Sequence, residues 1–269
     1  LLEQGGVSIE DLGTWQGLLD AVPKLKAAGI APIVTAGGDK WPVQHWLLYL
    51  MLREGGPDIM NRVRTEGFAI PEFIKAANDL IELGKLEPFQ EGWLNEAWLP
   101  SIGKFGDGGG AIYLAGNWSI QQQADNASDG KGIAPDDLVL IPFPAGFEGD
   151  ADGGTGTVGG ITGWAVTKGA PKEAVDFLAY YASVDAQKKF AEANLGIPSA
   201  IGVEQYISEP KLQWVVKTIG AASAHQLFAD RFLGPSAGGA YNDVAVALAA
   251  NAMTAEEAAA TLQDAWDNR

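Results

Sequence analysis

Apolar positions along the chain alternate between two periods, one of helices and one of short buried strands. Before Gly29 they fall at Leu18, Leu19, Val22, Leu25 and Ala28, one face of a helix with Thr14 as N-cap and Gly29 as its stop. Ile30 to Val34 reads as a short buried strand, Gly37 and Gly38 turn the chain, and Trp41 to Leu52 makes a second helix that ends at Gly55-Gly56. The spacing of Phe73, Ile74, Ala77, Leu80 and Ile81 predicts a helix over Pro71 to Leu83, and Ala97 to Phe105 predicts another before the Gly106 to Gly110 turn. Ala111 to Leu114 suits a buried strand, followed by Gly116-Asn117-Trp118 and a helix through Ser119 to Ala124. Leu138 to Phe143 is a further strand candidate, cut off by Pro142 and Pro144, and Ile161 to Thr167 recovers a strand pattern. Helices follow at Pro171 to Ala182 and Asp185 to Ala193, and an alanine-rich helix from Ala255 to Trp266 ends the chain.

Strands alternating with helices indicate an α/β architecture with a largely buried sheet. The Gly- and Asp-rich stretch from Ala145 to Gly160 divides the chain and is expected to be irregular. Beyond it, one strand and two helices are too few to build a core alone, so that segment is expected to pack against something else.

Composition narrows the partners. The formal charge of -16 opposes nucleic acid, because neutralising phosphates needs Lys and Arg, and it equally disfavours anionic lipids and anionic ligands. A neutral ligand fits this field best. No cysteine is present, which excludes disulfides, thiolate metal sites and cysteine nucleophiles. The densest apolar stretch, Trp41 to Leu52, is too short to span a bilayer and carries Gln44 and His45. The N-terminus has no signal-segment pattern, so any export signal is expected to have been removed or to lie outside these residues.

Catalytic patterns are missing. His45 and His225 are the only histidines and have no zinc-site spacing, so no metal is expected. There is no G-x-S-x-G elbow, and the glycines near Gly37 and Gly106 lack the Lys-Ser/Thr of a phosphate loop. The glycine run from Gly153 to Gly163 precedes a strand instead of opening a helix, which argues against a nucleotide reading, and no cofactor is implied. Acids in Gly146 to Gly156 lack the order of a calcium loop.

What does recur is an aromatic at a break between elements: Trp41 after Gly37-Gly38-Asp39, Trp118 after Gly116-Asn117, Trp164 after Gly159-Gly160, and Phe228 before Asp230-Arg231. Sugar rings offer apolar C–H faces that stack on indole, while their hydroxyls need carboxylate, amide or guanidinium partners. Loop-mounted Trp beside Asp or Asn suits that surface. The competing interpretation is that these rings seal the ends of a core, and for Trp164, inside a strand pattern, it is the favoured one. A glycan hydrolase with Asp39 and Asp230 as paired acids is the alternative to a binder.

At these residues the sequence resembles a known family. Thr14-Trp15-x-x-Leu18-Leu19 through Leu25-Lys26-Ala27-Ala28-Gly29-Ile30-Ala31-Pro32-Ile33, then Ala111-Ile112-Tyr113-Leu114-Ala115-Gly116-Asn117-Trp118, then Gly159-Gly160-x-x-Gly163-Trp164-Ala165-Val166, and finally Met253 to Ala258 are similar to the extracellular solute-binding proteins that serve ABC sugar importers, the group that includes maltose-binding protein. The resemblance implies a periplasmic-binding-protein-like two-lobe fold of type II, closing on a sugar without chemical change. It implies that residues 1–158 and 198–269 form the C-terminal ligand-binding lobe, that residues 159–197 cross into the N-terminal lobe, and that most of the N-terminal lobe is missing from this sequence.

Carried over residue by residue, Trp118 matches the aromatic that stacks on the sugar, Trp41 matches a second aromatic contact, and Gly159 and Gly160 match the crossing segment. Asn117, Asp39, Trp164, Phe228, Asp230 and Arg231 complete the expected ligand-binding set. The resemblance further implies a monomer, a neutral mono- or oligosaccharide ligand, an ABC importer permease as partner, and an extracytoplasmic location, periplasmic or lipid-anchored.

Overall fold

Thr14 caps the first helix, α1 (Trp15–Ala27), through a hydrogen bond from Gly17 N–H to its Oγ1 at 3.1 Å, and Leu18, Leu19, Val22 and Leu25 are buried along that helix as the spacing predicts. The computed structural model describes residues 1–147 and 150–269. They fall into two units: Leu1–Gly159 with Ala222–Arg269, and Gly160–Ala221.

In the first unit, β1 (Ile33–Val34) leads to α2 (Trp41–Gly55), whose Val43, Leu47, Leu48, Leu50, Met51 and Leu52 are all buried. A helix buried on most of its circumference cannot show a one-sided pattern, which is why this segment reads in the sequence as a nearly continuous apolar run. The next helix, α3 (Ile59–Glu66), was not expected: its polar Asn61, Arg62 and Arg64 dilute the apolar signal of Ile59, Met60 and Val63. In α4 (Pro71–Lys85) Phe73, Ala76, Ala77, Leu80 and Leu83 face inward. After α5 (Trp98–Gly106), strand β2 (Ile112–Tyr113) pairs in parallel with β1, Ile33 opposite Ile112 and Val34 opposite Tyr113. A short helix, α6 (Ser119–Asp125), follows.

The expected strand at Leu138 to Phe143 does not form. Pro142 and Pro144 remove two ladder donors, and the backbone carbonyl of Phe143 is instead taken by Arg53 at 3.0 Å. Of the Gly- and Asp-rich stretch, Glu148 and Gly149 lie outside the described residues. Its end is regular after all, as strand β3 (Thr157–Gly159).

The second unit holds α7 (Lys172–Tyr181), α8 (Val184–Glu192) and α9 (Pro210–Ala221). Ile161 to Thr167 does not become a strand: it has no partner strand among the described residues, and Ile161 and Trp164 are 87% and 75% exposed. Trp164 therefore seals no core here, against the favoured interpretation for that residue. Instead it lines a groove of about 400 Å³ with Val166, Ala174, Phe177, Leu178 and Tyr181.

Back in the first unit, β4 (His225–Leu227) pairs in parallel with β3, so the sheet among the described residues consists of two short parallel pairs, β1 with β2 and β3 with β4. The chain closes with α10 (Ala229–Leu233), α11 (Pro235–Ala249) and α12 (Ala255–Asp267). Thr254 and Glu257 cap α12 reciprocally, and Tyr241 of α11 reaches Met51 Sδ of α2 at 3.1 Å inside the core. Among the described residues no helix is long and apolar enough to cross a membrane.

Candidate functional site

Three helix N-termini and one strand end converge on a ring of aromatic contacts. Trp41 opens α2, Trp118 caps the start of α6, Phe228 joins β4 to α10, and His45 lies one turn into α2. Ring centroids are 6.2 Å apart for Trp41 and Trp118, 6.2 Å for Trp118 and Phe228, 5.0 Å for Phe228 and His45, and 5.5 Å for His45 and Trp41, so the four close on themselves. Trp98, the first residue of α5, joins from the side at 5.4 Å from Trp41 with 62° between planes. Edge-to-face arrangements of this kind suit the aromatic quadrupole. His45 is 4% exposed, and its burial pushes the imidazole down to about 4, so it is neutral at ordinary pH.

Local sequence explains how these rings are presented. Asp39, Lys40 and Trp41 form a γ-turn of the rare, strained hand: Lys40 has φ 62° and ψ -48°, and Trp41 N–H donates to Asp39 O at 2.6 Å. Gly37 and Gly38 turn the chain, with Lys40 N–H donating to Gly37 O at 3.1 Å, and close approach requires them, since a Cβ on Gly37 would lie 2.9 Å from Leu94 Cα and one on Gly38 2.8 Å from Glu96 O. Their amides donate to Trp93 O at 2.7 Å and Glu96 O at 3.0 Å, which draws the start of α5 against the start of α2. Asp39 Oδ2 then accepts the Trp98 N–H at 2.6 Å, fixing the second indole beside the first. Gly116 serves Trp118 in the same way: a Cβ there would sit 2.1 Å from the indole, which folds back over that glycine.

The structure thus brings Trp41, Trp118 and Phe228 together, with Asp39 holding the frame and Asn117 adjoining Trp118. Asp230, two residues beyond Phe228, has a buried Oδ1 with no hydrogen-bond partner, and Trp118 Nε1 is likewise buried and unpartnered. Arg231 lies with its guanidinium 5.8 Å from the Phe228 ring centre. Gly159 accepts the Phe228 N–H at 2.9 Å through its carbonyl, and the space beside its Cα is filled by His225, whose ring would meet a Cβ at 2.5 Å. Gly160 and Trp164 belong to the second unit.

Asp39 uses Oδ2 to accept the backbone N–H at the start of α5. No cluster of three metal-ligating side chains occurs among the described residues. The cations flanking the site in sequence are both engaged, Lys40 with Asp243 at 2.5 Å and Arg231 with the Phe228 ring. Sequence reasoning missed Trp98 and His45. Trp98 lies inside a helix pattern that absorbs it, and the sequence around His45 offers no aromatic-at-a-break signal.

Three helix termini thus present a closed set of edge-to-face and tilted aromatic contacts. The chain belongs to the bacterial extracellular solute-binding protein family, whose model matches residues 1–188. No curated protein matches by sequence. Solved structures share the fold. One, from work on xylan utilization by the thermophilic bacterium Caldanaerobius polysaccharolyticus, superposes with a TM-score of 0.84 at 23% identity over 98% of this chain and 67% of that one. A chitin oligosaccharide binding protein gives 0.82 at 21% identity over 99% and 66%. A sugar transporter from Bacillus licheniformis in complex with stachyose gives 0.67 at 18% identity over 98% and 67%. The chain therefore spans about two thirds of the length of these structures.

Proposed function

We propose that this protein captures a neutral saccharide outside the cytoplasm and hands it unchanged to the permease of an ABC importer. The observation that carries the reading is the ring of Trp41, Trp118, Phe228 and His45 with Trp98 beside it, next to a buried donor, Trp118 Nε1, and a buried acceptor, Asp230 Oδ1, that lack partners. An indole face takes the C–H face of a pyranose, and the sugar hydroxyls supply the missing acceptor and donor. With Lys40 and Arg231 engaged and a formal charge of -16, an anionic sugar is disfavoured. Several tryptophans in one place favour an oligosaccharide, since each sugar ring takes its own platform. The sugar-binding names of the structural relatives point the same way.

In this reading the second unit belongs to a second lobe, and its exposed apolar groove at Trp164 and Phe177 is consistent with burial in such a lobe. The protein works as a monomer, free in the periplasm or held at the cell surface by a lipid.

A thermal-shift screen of neutral sugars, from xylose and glucose to xylo-, cello-, chito- and malto-oligosaccharides, tests the reading, because a ligand that binds only the folded state raises the melting temperature. A selective rise names the substrate class. No rise with any sugar on the intact, folded protein contradicts the proposal.

A further inference from the structure

Trp41, His45, Tyr49 and Arg53 stand four residues apart on α2 and therefore form one ridge of that helix. The first two line the candidate site. The other two make contacts of a different kind, all to the segment that leads into β3.

The Tyr49 ring lies flat on Phe143, centroids 4.6 Å apart and planes at 4°, and its hydroxyl accepts the Val158 N–H of β3 at 3.3 Å. One turn on, the Arg53 guanidinium is 1% exposed and spends its whole fork on the same segment. Nε donates to Pro144 O at 3.0 Å, Nη2 to Phe143 O at 3.0 Å, and Nη1 to Gly156 O at 3.3 Å and to the carboxylate of Asp152. Asp152 is 0% exposed and also accepts the N–H groups of Gly154 at 2.9 Å and Gly156 at 3.0 Å. Ala151 N–H returns a bond to Arg53 O at 2.9 Å.

A fully buried ion pair is a weak source of net stability, because desolvation offsets most of its attraction. What it does impose is geometry: each carbonyl and amide it engages fixes Phe143–Pro144 and the stretch from Ala151 to Gly156 on α2. That loop feeds β3, and β3 is where the chain leaves the first unit, since Gly160 already belongs to the second. One helical ridge thus carries the ligand platform at one end and the mooring of the exit strand at the other.

We propose that Tyr49 and Arg53 are positioning residues for ligand capture, holding the exit strand in fixed register on the ridge that presents Trp41 and His45. Neither residue touches the ligand, yet its affinity depends on both. The inference rests on the saccharide-capture reading above.

The test uses the intact protein, wild type and Tyr49→Phe, which keeps the ring on Phe143 and removes only the acceptor of the Val158 amide. Amide hydrogen exchange over residues 150–159, melting temperature and calorimetric affinity for the best-binding neutral saccharide are measured on both. Faster exchange in that segment with affinity weakened about fivefold and a melting temperature nearly unchanged is the expected result. Tm falling while affinity stays at the wild-type value overturns the inference, because that is what a merely structural hydrogen bond does. Arg53→Lys, which keeps the charge and loses the fork, is expected to weaken binding by more than tenfold, and unaltered affinity in that variant is equally fatal. Should Arg53→Lys not fold, Tyr49→Phe alone decides. A wild-type protein that binds no neutral saccharide removes the capture reading itself, and this inference with it, before any variant is compared.

Discussion

The indoles of Trp41 and Trp98, each the first residue of its helix, meet edge to face at 5.4 Å, and the Asp39 carboxylate ties the two helix starts together through the Trp98 amide at 2.6 Å. That tie predicts a double effect. Asp39→Ala removes the acceptor at the start of α5 and is expected to cost about 1 kcal/mol of stability, the usual worth of a helix cap. It should also weaken saccharide binding, because Trp98 is no longer held against Trp41. Denaturant melts and calorimetry on one preparation read both, and an unchanged affinity would show that Trp98 stands outside the ligand surface.

Trp118 is expected to dominate binding. Its truncation to Ala removes a central platform and a buried N–H, the pattern of an interface hot spot, so affinity should fall at least about thirtyfold. Circular dichroism should remain that of the wild type, since the indole is only partly buried in the free protein.

Gly116 offers a subtler route to the same indole. A methyl group there would overlap the Trp118 ring at 2.1 Å, and the ring, being the flexible partner, must swing away. Gly116→Ala is therefore expected to lower affinity about tenfold and to shift the tryptophan emission maximum in the absence of ligand. Unaltered emission would mean that the indole is not seated over that glycine.

How much of this was legible in the sequence follows from the residues themselves. Trp41, Trp118 and Phe228 could be found because each sits at a break, where an aromatic needs a reason. Trp98 obeys the same rule, but Ala97 to Phe105 reads so readily as a packed helix that its first residue is absorbed into the pattern. The ridge of Trp41, His45, Tyr49 and Arg53 is also written in the sequence at four-residue spacing, yet α2 is apolar on so many sides that no single ridge stands out. The Leu138 to Phe143 and Ile161 to Thr167 strand patterns misled for separate reasons. In the first, prolines and the Arg53 fork claim the backbone, and in the second no partner strand is present among the described residues. Strand pairing is a tertiary property that alternation alone does not supply.

A buried histidine and a half-buried aspartate give opposite pH signatures. Burial lowers His45 from 6.5 to about 4, so the unfolded chain takes up a proton that the folded one refuses, and stability is lost as pH falls from about 6.5 to 4. Asp79 on α4, raised from 3.8 to about 7 by burial and then by Glu54 and Glu82 against Lys75, works the other way. The folded state holds its proton more tightly, so stability is lost as pH rises from about 4 to 7, and the penalty is complete above 7. Between about 4 and 6.5 the two slopes oppose, and the wild-type profile should be flatter than either alone. Asp79→Asn should therefore stabilise by about 1–2 kcal/mol at pH 8, after allowance for solvent screening, and by little at pH 4. His45→Phe should gain on the wild type as pH is lowered through the same range, by up to about 3 kcal/mol. Melting temperatures across pH 4 to 8 for the three proteins separate the contributions, and parallel profiles would refute both assignments.

The most direct test of the central claim watches the indole N–H groups themselves. In a nitrogen–proton NMR spectrum of the intact protein, with Trp41, Trp98 and Trp118 assigned by single Trp→Phe substitutions, a neutral oligosaccharide that raises the melting temperature is added to saturation. The Trp118 Nε1–H signal should move most, because it gains an acceptor that it lacks in the free protein, with Trp41 and Trp98 moving beside it. Saturating sugar that leaves all three signals where they were would place the ligand elsewhere and contradict the account.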